Sequence, residues 1–173
     1  MRATNEDFDQ KPASSRLQLT MYFAYQGQQR ADFAEFETTF EAAKAGKRTS
    51  TLRKREWYTK TPWQYESMLK LQVGDQLIFW SGRKVGQGES LIVKLIEKPV
   101  EWSGNLPEGA LEELSQLEGW TVDYLKANGY QRPELGFIQL RYIPIEFEAS
   151  EKETKKQDDN LSLLSDSIHT ISV

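Results

Sequence analysis

The spacing of apolar residues changes several times along this chain, and each change marks an element. Leu17, Leu19, Met21 and Phe23 alternate with polar neighbours, the period of a half-buried strand. Phe33, Phe36, Phe40 and Ala43 then recur every three or four residues, and Gly46 follows as a terminator. That pattern predicts an amphipathic helix of about a dozen residues with its Phe stripe in the core. The β-branched Thr49 and Thr51 predict a strand over 49–56, trailed by an irregular stretch around Pro62 and a helical turn over 64–71. Gly74 and Asp75 turn the chain into a strand that ends at Gly82. A Gly-rich loop leads to one long strand over 90–102. That loop lacks the phosphate-loop pattern and lies between strands, so it reads as a hairpin turn.

Two short helices follow within 106–130, the second capped by Thr121 and ended by Gly129. The last strand, over 135–148, has apolar residues on both parities between Phe137 and Ile145. It is therefore buried on both sides or bulged near Pro144. Strand, helix, strand, turn, strand, strand, two helices and strand leave few residues for crossovers. The expected fold is α+β and mainly β: a small barrel of about five to six strands with helices over its openings. No internal repeat and no second domain is visible, and the domain spans 17–148.

Composition adds exclusions. Residues 1–16 and 149–173 are polar or highly charged, and the latter contain no aromatic residue. Both are expected to be mobile tails, because burial there cannot offset the entropy of ordering. An LSLL docking motif in the second tail is the less favoured alternative. No apolar run is long enough for a membrane helix. The chain has no Cys, which fits a reducing, cytoplasmic setting, and its single His is His169. These counts argue against thiolate chemistry, a Ser-His-Asp triad and a transition-metal site. No cofactor is expected, and catalysis would rest on Lys, Thr, Ser, Tyr or carboxylates.

Charge is the most uneven property. The chain carries a net −4, yet Lys44 to Trp63 holds seven Lys or Arg against one Glu, leaving about −10 elsewhere. The cations include Lys47, Arg48, Arg53, Lys54, Arg55 and Lys60, and the aromatics Trp57, Tyr58, Trp63 and Tyr65 follow closely. Cations interleaved with aromatics suit single-stranded nucleic acid, whose backbone attracts positive charge and whose unstacked bases seek π faces. On an extended strand Thr51, Arg53 and Arg55 share one face, with Leu52 turned into the core. Arg53 and Arg55 would then face a groove. For Trp57 and Trp63, core packing and a ligand platform are equally compatible with the sequence. Trp80 and Trp120 are expected in packing.

Several short motifs, in order, resemble the ASCH domains, small PUA-like β-barrels. The family pattern G-x-K-x-x-E-x-R aligns with Gly46 to Arg53, with Arg48 at the Lys position and Thr51 at the Glu position. Val73-Gly74-Asp75 resembles the family's strand entry, Glu118-Gly119-Trp120 its helix junction, and the segment from Tyr142 its closing strand. The resemblance spans Leu17 to Glu148. It implies RNA binding, with some members reported as ribonucleases. One bacterial branch hydrolyses N4-acetylcytidine with a Lys, a Thr and a Glu, which fall on Arg48, Thr51 and Glu118. An Arg cannot give up its proton as that Lys must, and Glu118 is equally explained as a partner that neutralises Arg48 or Arg53. The reading favoured is an RNA- or nucleotide-binding module, its site along Lys47 to Trp63 and closed by Glu118. A metal-free hydrolase and a protein-interaction module are the alternatives.

Overall fold

The computed structural model describes residues 16–146, so 1–15 of the first tail, Phe147, Glu148 and the second tail lie outside the described residues. Six strands form one sheet: β1 (Leu17–Thr20), β2 (Ser50–Lys54), β3 (Gln76–Trp80), β4 (Ser90–Leu95), β5 (Val100–Trp102) and β6 (Phe137–Pro144). The sheet path runs β1-β3-β4-β6-β2, with β5 paired to β6 off the path. β1 is parallel to β3, and the other pairs are antiparallel. The sheet curls into a half-barrel, and its two ends, β1 and β2, are bridged by a side chain. Arg53 Nη2 donates to the Thr20 carbonyl at 2.7 Å. Mainly β α+β architecture, as the apolar spacing predicts, is what the chain adopts.

Two hydrophobic clusters fill the fold. Leu19, Leu77, Phe79, Val93, Leu140 and Tyr142 belong to the one inside the curl. The helices α1 (Thr39–Lys44) and α2 (Pro62–Leu69) close on it through Phe40, Ala43, Tyr65 and Met68. The second cluster joins Leu52 and Phe137 to α3 (Ala110–Glu118) and α4 (Val122–Ala127) through Leu114, Trp120 and Leu125. β6 supplies both clusters, Ile138, Leu140 and Tyr142 to the first and Phe137 to the second. Its double-parity pattern thus means burial on both sides.

Three expectations change. The Phe stripe is not one helix: a 3-10 turn covers Ala31–Phe33, and α1 begins only at Thr39. Thr38 is extended (φ −127°, ψ 156°) and makes a capping box with Glu41, which starts the helix there. Phe33 and Phe40 consequently enter different clusters. The long strand over 90–102 is broken into β4 and β5. Pro99, lacking an N–H, interrupts the ladder, and both pieces pair with β6, β4 near Pro144 and β5 near Phe137. The turn expected over 64–71 is instead a full helix, α2, that begins two residues earlier with Pro62 at its first position and ends at Leu69.

Candidate functional site

The part of the basic segment from Arg48 to Arg53 is inside the protein. Arg48 is 5% exposed and Glu118, seventy residues on, is 0% exposed. Arg48 Nη2 donates to Glu118 Oε2 in a buried ion pair. Burial alone would push the Arg48 guanidinium down. The facing Glu118 carboxylate outweighs it and holds the group above its ordinary value, so Arg48 is a permanent cation.

Gly119 makes this placement possible. It ends α3 with φ +79°, and a Cβ there would stand 2.3 Å from Phe33 Cδ1 and 2.6 Å from the Tyr25 hydroxyl. Only a glycine fits, and the turn sets Glu118 at the helix end with Trp120 just beyond. Tyr25 donates its hydroxyl to the Glu118 carbonyl at 2.9 Å. Burial, with a smaller push from Glu118, raises the Tyr25 hydroxyl far above the usual phenol range despite the opposing pull of Arg48.

Above the pair lies a cleft of about 110 Å³ between β1 and β2, beside α4. Arg48, Thr51, Arg53 and Glu118 line it together with the aromatics Phe23, Trp57, Trp120 and Tyr124. Trp120 is buried and stacks on Tyr124, with centroids 4.0 Å apart and 14° between planes. Thr51 and Arg53 lie opposite Leu140 and Ile138 on β6, so β2 turns these two polar residues toward the inside of the curl. Lys54, at the rim, donates to the Asn128 carbonyl and lies 4.8 Å from the Tyr130 ring and 5.9 Å from the Trp57 ring. Arg48 Nε, Arg53 Nε and Glu118 Oε1 are buried without a hydrogen-bond partner among the described residues. Such groups are uncommon inside proteins and call for a partner, whether ordered water, an ion or a ligand.

Six of the residues singled out in the sequence therefore meet: Arg48, Thr51, Arg53, Lys54, Trp57 and Glu118. The others do not line the cleft. Lys47 is exposed, 3.7 Å from Asp32 and over the Phe33 ring. Arg55 is not on the strand face expected for it. A 3-10 turn over Arg55–Tyr58 redirects it to Glu101, at 2.6 Å, and over the Tyr65 ring. Tyr58 is half-buried against Tyr65. Lys60 is exposed, and Trp63 is 63% exposed on the first turn of α2. Trp80 is half-buried, donating from Nε1 to Gln18 at 2.8 Å.

The sequence reading missed Phe23, Tyr124, Asn128 and Tyr130 as lining residues. The available signal was the four-residue spacing of Trp120, just before the Thr121 cap of α4, and Tyr124 in the first turn of that helix. No group of His, Cys, Asp or Glu suited to a metal ion occurs among the described residues. None of the described helices is long and apolar enough to cross a membrane.

No family model matches the chain. No curated protein matches it. Among solved structures it is similar to the crystal structure of protein EF3133 from Enterococcus faecalis V583, family-model DUF984. The identity is 15% and the TM-score 0.44, over 75% of this chain and 80% of that one.

Proposed function

We propose that the chain binds RNA or a nucleotide, as its ASCH-like motifs imply, by taking a single base into the cleft between β1 and β2. The observation that carries this reading is the make-up of that cleft. Its floor is a buried charged pair with polar atoms still unpartnered, and aromatic rings form its walls. A base has matching parts, two π faces and a polar edge carrying donors and acceptors side by side. Size narrows the choice. A cavity of roughly 150 Å³ encloses one benzene-sized ring, so an open cleft of about 110 Å³ has no room for a purine and would take in a one-ring base only in part.

A second reading is supported by one observation: Arg48, Thr51 and Glu118 line the same cleft. The hydrolytic branch that they resemble needs a Lys able to lose its proton where this chain has Arg48. Lys47 is turned to Asp32 and does not replace it. Binding without hydrolysis is the reading that this chemistry favours.

Titration of the full chain with CMP, UMP, AMP and GMP tests it, alongside an N4-acetylcytidine deacetylation assay. Binding of CMP or UMP that weakens about fivefold or more in Trp57→Ala, with no deacetylation, is expected. No binding of any nucleotide or of single-stranded RNA at low salt would remove the reading, and robust deacetylation would put the hydrolase in its place.

A further inference from the structure

The one-base reading leaves one surface feature unused. Tyr22, Phe23 and Trp57 are 37%, 39% and 47% exposed. They form a continuous run. Tyr22 stacks on Phe23, with centroids 4.5 Å apart and 24° between planes, and Phe23 meets Trp57 at 6.2 Å. Phe23 and Trp57 line the cleft, whereas Tyr22 does not. The run therefore begins at the mouth of the cleft and leads away from it. A cation stands over each end: the Arg83 guanidinium is 6.0 Å from the Tyr22 ring, and Lys54 Nζ is 5.9 Å from the Trp57 ring.

We infer that this run is a stacking platform for the nucleotides that flank the base in the cleft, so that the preferred ligand is a single strand rather than a free nucleotide. The inference rests on the cleft reading and extends it. Exposed rings and cations at both ends match what a single strand offers, unpaired π faces joined by phosphates. A duplex keeps its bases stacked on one another and cannot use such a surface. An apolar peptide would bury the rings but offer Arg83 no charge; Lys54 already lies 3.5 Å from the Glu56 carboxylate, so it is the Arg83 end of the run that makes a polyanion the better occupant.

The test compares CMP and UMP with seven-nucleotide oligo(C) and oligo(U) RNA and with a blunt RNA duplex. Wild type, Tyr22→Ala and Arg83→Gln are titrated with each. Both side chains are exposed and lie outside the cleft lining, so neither change removes a cleft group. Matched thermal unfolding confirms that each variant is folded. The expected result has four parts. A heptamer binds about tenfold or more tighter than the mononucleotides, and the duplex binds more weakly than the heptamer. Tyr22→Ala loses about fivefold or more on the heptamer. Mononucleotide affinity is unchanged in both variants. Equal affinity for heptamer and mononucleotide would overturn the platform and leave the cleft reading standing, as would heptamer binding indifferent to both substitutions. Failure of wild type to bind any of these RNAs or nucleotides would overturn both.

Discussion

The basic segment has two halves that meet opposite fates. From Arg48 to Arg53 the cations are swallowed by the fold. Arg48 is paired with Glu118, and Arg53 is tied to the Thr20 carbonyl across the open side of the sheet. From Arg55 onward the charges and the Trp57 and Trp63 rings stay in water, and only Tyr58 is half-buried. Arg55 is about half exposed and shared between Glu101 and Glu66, and Lys60 and Trp63 are exposed. The two halves carry similar residue types, so composition does not separate them. What differs is the partner. A buried guanidinium must meet a fixed acceptor, because leaving it unpaired in low dielectric is prohibitive, whereas an exposed one is satisfied by solvent. The first half is therefore site architecture, and the second is surface whose charge is mostly neutralised locally.

Removing the partner from the buried half should have the largest effect. Glu118→Ala leaves Arg48 buried and uncompensated, and chemical denaturation should show a loss of about 3–5 kcal/mol. A loss under about 1 kcal/mol would mean that water reaches the pair, and the contrast between the halves would fail. Arg53→Ala removes a charged donor from the Thr20 carbonyl and should cost about 1.5–3 kcal/mol. The same variant should lower nucleotide affinity, because Arg53 lines the cleft. An unchanged unfolding midpoint would mean that the bridge does not hold the sheet ends together.

Alkali should probe the buried half without mutation. Burial is the main cause raising the hydroxyls of Tyr25, Tyr130 and Tyr142 in the folded chain. Unfolded tyrosine ionises near about pH 10. Below that pH their contribution is fully present. Above it the unfolded chain loses protons that the folded chain keeps, so stability falls by about 1.4 kcal/mol per pH unit for each tyrosine. Denaturant midpoints should drop steeply between about pH 10 and 11, and a flat profile would place these hydroxyls in water. The smallest effect belongs to the exposed half. Arg55→Ala breaks surface pairs and should change stability by less than about 1 kcal/mol. A larger loss would show that its contact over the Tyr65 ring holds α2 in place.

The fold was largely legible because burial leaves a local mark. Alternation identified β1, the Gly74-Asp75 turn and Gly82 bracketed β3, and Thr121 and Gly46 showed where helices start and stop. The misread helix over the Phe residues has a local cause too. A capping box at Thr38 and Glu41 competes with the three-to-four spacing and wins. Half of the candidate site was also in view, since Arg48, Thr51, Arg53 and Glu118 stood out by motif and charge. The direction of Arg55 was not. Its face depended on the strand continuing, and β2 ends at Lys54.

By itself, then, the chain's sequence determined the alternating strands, the capped helices, the excess of cations and the glycine at the end of α3. Each depends on neighbours within a few residues, whose sterics and hydrogen bonds act without the rest of the protein. Only the tertiary structure decided which cations became floor and which became surface. That outcome depends on Glu118, Thr20 and Glu101 arriving from distant parts of the chain. The strength of a charge pair is set by separation and by the water excluded around it, and both exist only once β1, β2 and α3 have packed.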